Sequence, residues 1–193
     1  MKQKDERQQL LLQAASEVIA QYGLRKTTLE DIAEKAGVAK ATMYYYFDSK
    51  EEIFAEVVEQ KSRALFEALA EAIHGKESSS DKLIAFVNTR HGYAVASRKM
   101  YNPSREVFGE VMPMVTEKMK SHREREQSVL ARIIAEGATR GEFKPCDAQL
   151  LASTIVSCLN AVAELRFLGG GLELDMKELN SLLDLFLNGL KNR

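Results

Sequence analysis

Cysteine and histidine are scarce in this chain, and their scarcity removes whole classes of chemistry. The two cysteines, Cys146 in an apparent loop and Cys158 in a helical stretch, are not paired at metal-ligand spacing, and both are expected to be reduced, in the cytoplasm. The three histidines, His74, His91 and His122, fall in three separate helical stretches. No metal site is expected from such a set. A glycine-rich phosphate loop and a nucleophile elbow are also missing, so neither an enzyme nor a cofactor is expected. No apolar run approaches the roughly 20 residues of a membrane span. The start, MKQKDERQQ, lacks the apolar core of a signal peptide, so no membrane partner is expected. Prolines number three and glycines 11 in 193 residues, which leaves long unbroken stretches for helices. Charge of one sign is lacking as well. Residues 1–50 carry 8 Lys or Arg against 7 Asp or Glu, and the remainder 19 against 21. Any basic footprint must therefore come from placement, at Lys2, Lys4, Arg7, Lys26, Lys40 and Lys50.

What the chain does have is a dense run of local signals from Thr27 to Lys50, TTLEDIAEKAGVAKATMYYYFDSK. Thr28 followed by Asp31 is a capping-box pattern. Leu29, Ile32, Ala33 and Ala36 recur at helical spacing, and Gly37 offers the left-handed residue that ends a helix. Val38 is placed to plug the corner of a turn. In the next helix Ala39, Met43 and Phe47 fall on one side, while Ala41, Thr42, Tyr44 and Tyr45 face largely the other way. The outward face is small at its start and carries aromatic hydroxyls further on. A small start lets a helix sink into a major groove, and hydroxyls with a lysine can hold phosphates beside it. Ser49 with Glu52 caps a third helix, and Lys50 sits in its first turn.

These residues resemble the DNA-binding signature of the TetR family of bacterial repressors. The elements that carry the resemblance are Thr28, the run from Ala33 to Thr42, Tyr44-Tyr45, Phe47 and the segment from Ser49 to Glu52, within a span from about residue 5 to 55. The resemblance implies that Lys40, Ala41 and Thr42 face base edges or nearby phosphates of a double-stranded operator. It implies that Thr28, Tyr44, Tyr45 and Lys50 grip the DNA backbone. Two positions depart from the family pattern. Ala39 stands where Ser or Thr usually caps the recognition helix, which should weaken the cap by about 1 kcal/mol, and Tyr46 stands where His is common.

The rest of the chain also reads as helix, giving an all-α fold with a helix-turn-helix domain at residues 1–50 and a helical effector-binding and dimerisation domain at 51–193. A helix from about Asp5 to Tyr22, apolar at Leu11, Ala14, Ala15, Val18, Ile19 and Tyr22, is expected to cover the back of the helix-turn-helix. Lys2 to Gln9 reads either as an arm near DNA or as a solvated start. Ser49 to His74 reads as one helix of about 39 Å that links the two domains. Gly75 and KESSS mark the clearest break. A helix from Asp81 to Ser97 follows, then a loop at RKMYNPS. A short helix from Ser104 to Met112 is expected to stop near Pro113, with another from Met114 to Arg140. His122, on the apolar seam of that helix, reads as structural.

The last two helices are the most apolar, from Ala148 to Leu168 and from Met176 to Leu190. One face of a single domain does not satisfy a helix pair of that kind, so pairing with a second copy in a four-helix bundle is expected. Ile155, Leu159, Val162, Leu179, Leu183 and Phe186 are the candidate interface. The resemblance implies a homodimer through the same two helices; burial within a monomer is the competing reading. The resemblance also implies a small-molecule pocket among the middle helices. Its candidates are Phe86, Arg90, His91, Tyr93, Tyr101, Phe108, Met112, Asn160 and Glu164. Asn160 and Glu164, one turn apart in an apolar helix, must find partners in a ligand, a watery cavity or another subunit. The expectation is a cytoplasmic DNA-binding regulator, a repressor released by a small, largely apolar effector. Two alternatives are a ligand-independent structural or cell-division protein on DNA, and an interaction module that no longer reads DNA.

Overall fold

Helix caps that can be read locally set the boundaries of the first elements. In the computed structural model of the chain, the backbone is described for residues 2–101, 105–167 and 175–191, and side chains for 6–96, 120–163 and 175–191. The described residues form eight helices: α1 (Lys2–Tyr22), α2 (Leu29–Ala36), α3 (Lys40–Tyr46), α4 (Lys50–Ile73), α5 (Ser79–Tyr101), α6 (Arg105–Thr139), α7 (Ala148–Phe167) and α8 (Met176–Leu190). No strand occurs among them; the one β-type pairing is an isolated bridge between Phe143 and Lys191. The chain separates into two compact units, Met1–Ser62 with Ser97–Met119, and Arg63–Ala96 with Lys120–Arg193. The division falls inside α4, α5 and α6.

The first unit is built on one apolar cluster. Leu11, Ala15, Val18 and Ile19 of α1 meet Leu29, Ile32 and Ala33 of α2, with Met43 and Phe47 from α3 and its end, and Ile53 and Val57 from α4. Ile32, Met43 and Ile53 are wholly buried. Val38 packs on the same cluster at the turn.

The second unit has a core of its own. Leu65 and Leu69 of α4, Leu83, Phe86 and Val87 of α5, Leu130, Ile133 and Ile134 of α6, Ala152 and Val156 of α7, and four leucines of α8 form it. Phe143, after α6, packs against Gly137, where a Cβ would come within 2.9 Å of Ser79 Cβ and closer still to the Phe143 ring. Lys144 N then donates to Leu190 O at 2.9 Å, tying that segment to the end of α8.

Two boundaries differ from the sequence expectation. Helix α5 continues through Arg98 to Tyr101, so RKMY is helix rather than loop, and Asn102-Pro103 lies outside the described residues. Helix α6 runs unbroken from Arg105 to Thr139, through Gly109 and Pro113, where a stop was expected. A proline removes one hydrogen bond and crowds the carbonyl four residues back, a cost of about 3 kcal/mol. In a 35-residue helix the ladder on both sides carries the frame across that gap. The short separate helix does not exist.

Candidate nucleic-acid interface

The α2–turn–α3 segment is held by two local devices and two anchors. At the start of α2 the Thr28 hydroxyl accepts from Asp31 N at 3.1 Å, and Thr28 N donates to Asp31 Oδ2 at 2.8 Å. The hydroxyl also donates to Asp31 Oδ2 at 2.7 Å. These bonds hold the Asp31 carboxyl below its ordinary range, the Thr28 side-chain bond foremost. At the end of α2, Gly37 takes a left-handed backbone with φ of 66°, which a side chain would strain. Val38 N can then reach back to Ala33 O at 3.0 Å.

Helix α3 is fastened from beneath by Met43 and Phe47. Its cap residue, Ala39, makes no side-chain hydrogen bond, as its identity dictates. Above, Lys40 and Ala41 are exposed and Thr42 is partly so. Tyr45 is 71% exposed and Tyr44 48%. The Tyr45 ring meets Tyr46 edge-on at 5.1 Å. Burying two apolar residues of α3 thus leaves a short, small-residue start and an aromatic shoulder facing water. That is a shape a major groove admits.

Charge on this face is already partnered. Lys40 forms an ion pair with Glu30 of α2, and its ammonium stands 5.7 Å from the Tyr44 ring centre. The Tyr44 hydroxyl donates to Glu30 Oε1 at 3.4 Å. The hydrogen bond to Glu30 raises the Lys40 pKa, and the same bond lowers that of Glu30. Lys50 Nζ donates to the carbonyls of Leu24 and Arg25, both at 3.2 Å, so it ties the start of α4 to the segment before α2. Ser49 Oγ accepts from Glu52 N at 3.1 Å.

The seven DNA candidates are therefore gathered on and around one helix-turn-helix, with Thr28 committed to its capping bonds and Lys50 to the carbonyls of Leu24 and Arg25. Glu30 is the residue that sequence reasoning missed. Nothing in its spacing singles it out, because its approach to Lys40 depends on how α2 and α3 cross.

In the second unit, Arg90 of α5, Glu126 of α6 and Asn160 of α7 come together. Arg90 Nε donates to Glu126 Oε2 at 3.0 Å and Nη2 to Asn160 Oδ1 at 2.7 Å. Beside them is a crevice lined by Arg90, His91, Ala94, Leu159, Val162 and Ala163, too narrow to hold a water molecule. Phe86 is wholly buried in the core, and Tyr93 packs partly buried against it. The side chains of Tyr101, Phe108, Met112 and Glu164 lie outside the described residues. His122 is buried, and its Nδ1 has no hydrogen-bond partner among the described residues. Of the six interface candidates, Leu179 and Leu183 are buried in the chain's own core, and Ile155, Leu159 and Phe186 pack half-buried against it. Val162 lines the crevice. Among the described residues, the large apolar side chains left in water on α7 and α8 are Leu150, Met176, Leu182 and Leu185.

Residues 11–57 match the bacterial regulatory proteins of the tetR family, and residues 79–173 match a tetracyclin repressor-like C-terminal domain. An uncharacterized HTH-type transcriptional regulator of Bacillus subtilis, YhgD, is 31% identical, covering 76% of this chain and 77% of its own. The fatty acid metabolism regulator protein of the same organism is 27% identical over the full length of both. A transcriptional regulator from Cytophaga hutchinsonii shares the fold, with a TM-score of 0.79 at 24% identity over 95% of this chain and 98% of that one.

Proposed function

This chain belongs to the tetR family of bacterial regulatory proteins, a family of DNA-binding transcriptional regulators, and from that premise we propose that it is a homodimeric repressor. It occupies a near-palindromic operator and leaves it when a small, largely apolar effector enters the second unit. It acts in the cytoplasm, and its partners are the operator, its own copy and the effector.

The observation that carries the proposal is the anchoring of α3. Met43 and Phe47 are buried beneath, which fixes Ala41, Thr42, Tyr44 and Tyr45 on the outer side. Residues near the start of such a helix reach base edges, and the aromatic hydroxyls beyond them reach phosphates. The test is to recover the genomic fragments that the purified protein retains. The expected fragment holds two half-sites roughly 34 Å apart, one per subunit. Thr42 substitutions should change base preference by about 1–3 kcal/mol at one step. Tyr45→Phe should weaken all sequences alike, because phosphates carry no base information. Equal losses from both changes on operator and random DNA would overturn the assignment of α3.

The effector half of the proposal rests on the crevice beside Arg90 and His91, whose other walls are Ala94, Leu159, Val162 and Ala163. An effector acts only through its different affinity for two arrangements. Moving a 1:99 balance to 99:1 takes about 5.5 kcal/mol of preference. One observation favours the ligand-independent alternative: Asn160 already has Arg90 as its partner. Operator binding measured with and without a compound library decides between the two. A library that never shifts affinity favours the structural DNA-binding protein.

A further inference from the structure

One carboxylate on α2 holds two of the groups that α3 offers to DNA. Glu30 pairs with the Lys40 ammonium and accepts the Tyr44 hydroxyl at 3.4 Å. Lys40 lies in the first turn of α3 and is well exposed, so solvent alone would leave its ammonium free to meet a phosphate. Its position over the Tyr44 ring, 5.7 Å away, closes a three-membered clamp on the outer face.

From this clamp we propose that Glu30 sets the specificity of DNA binding by withholding Lys40 from phosphates. The inference rests on the DNA-binding reading above. On meeting DNA the Lys40 ammonium must exchange one partner for another. On a random duplex, a phosphate that captures Lys40 must displace a carboxylate already in place. It then leaves Glu30 unpaired beside a polyanion, where like charges repel. The swap therefore gains little, and Lys40 stays out of the set of phosphate contacts that drive binding to any sequence. A guanine edge at an operator adds two acceptors beside the phosphates that every duplex offers. The loss of Glu30 is then offset by a contact that random DNA lacks. The clamp thus lowers affinity for random DNA more than affinity for the operator, which widens the ratio between them. The bonds that hold the clamp also hold Glu30 ionised, since its hydrogen bond with Lys40 lowers its pKa.

The experiment uses the full chain, with Glu30→Gln and Lys40→Ala made singly and together. Glu30 is exposed, so Glu30→Gln is expected to keep the parent's helical spectrum, with at most a small drop in melting temperature from the lost charge in the first turn of α2. Fluorescence anisotropy is read on a random-sequence duplex and on a retained genomic fragment, across a range of potassium chloride. Glu30→Gln is expected to bind the random duplex several-fold more tightly. Its plot of log affinity against log salt should steepen by about 0.9, the increment for one added phosphate contact. Affinity for the genomic fragment should rise less, so the ratio falls. Lys40→Ala should cost more random-duplex affinity in the Glu30→Gln background than in the parent. An unchanged affinity and salt slope in Glu30→Gln would overturn the proposal. So would a selective loss on the genomic fragment, which would make Glu30 a reader of the operator. A parent protein that binds no duplex would sink the DNA-binding reading and this inference together.

Discussion

Arg90 and Glu126 form a nearly dry ion pair: Nε to Oε2 is 3.0 Å, and the two side chains are 13% and 4% exposed. Asn160 completes the group by accepting from Arg90 Nη2, so α5, α6 and α7 are joined at one guanidinium. A buried pair of this kind is weak evidence for stability in itself, because both charges have lost water. Removing one member is another matter. Arg90→Ala leaves a carboxylate buried without its cation and is expected to cost about 3–5 kcal/mol in urea unfolding. The double change Arg90→Met with Glu126→Leu should recover most of that loss. A single-mutant cost under about 1 kcal/mol would mean that water reaches the pair.

Lys50 is expected to show two effects where Tyr45 shows one. Its ammonium caps the carbonyls of Leu24 and Arg25, so Lys50→Ala should lower stability by about 1 kcal/mol. It should also weaken binding to every DNA sequence. Tyr45→Phe, at a site 71% exposed, should weaken DNA binding and leave the melting temperature in place. Chemical denaturation and anisotropy on the same samples separate the two. A Lys50→Ala protein as stable as its parent would show that the caps contribute nothing.

Leu183 and Leu185 sit two residues apart on α8 and should respond in opposite ways. Leu183 is 8% exposed and belongs to the core, so Leu183→Ala should destabilise the chain by about 2–4 kcal/mol. Leu185 is 71% exposed, and a glutamate there meets only water in a single chain. If α7 and α8 form the proposed dimer face, Leu185→Glu should yield folded monomers by light scattering at micromolar concentration. Leu182→Glu should do the same, one turn earlier and 52% exposed. Dimers that survive both changes would move the interface elsewhere.

Acid should loosen the fold through its partnered carboxylates. Asp31 is lowered by the Thr28 bonds, and Glu136 by hydrogen bonding to Lys82 first of all. A carboxylate lowered in the folded state adds stability that is fully present above its unfolded pKa and lost as pH falls through the folded one. The melting temperature should therefore be flat near neutrality and fall from about pH 4 downward, where unfolded carboxylates begin to titrate. Asp31→Asn should start lower and fall less steeply in that window. The same acid slope in Asp31→Asn as in the parent would remove Asp31 from the account.

Much of the helix-turn-helix was legible before any coordinates, for a physical reason. The Thr28–Asp31 box, the Gly37 stop and the Ser49–Glu52 cap are made by bonds three to five residues apart, and Ala39 lacks the side chain to make one. Such bonds need no distant partner, so residue type and spacing are enough to write them. The same holds for most of the core face of α1 to α4, Tyr22 excepted, which is 54% exposed rather than buried. Leu29, Ile32, Met43 and Phe47 are all buried, as the spacing of apolar residues requires. The break at Gly75 was equally plain, whereas Pro113 misled. One lost bond is a strong local signal, yet a long helix tolerates it.

Sequence by itself determined the all-helical class, the caps, and which residues of α3 point away from the core. Tertiary structure alone decided which partner each charged group takes. Lys40 meets Glu30 across two helices, Lys50 reaches back 25 and 26 residues to two carbonyls, and Arg90 finds Glu126 and Asn160 on different helices. It also decided what the apolar stripe of α8 meets. Periodicity chooses the side, since Leu179, Leu183, Leu187 and Leu190 recur three to four residues apart. It does not choose the neighbour, and here those four leucines join the core of their own chain.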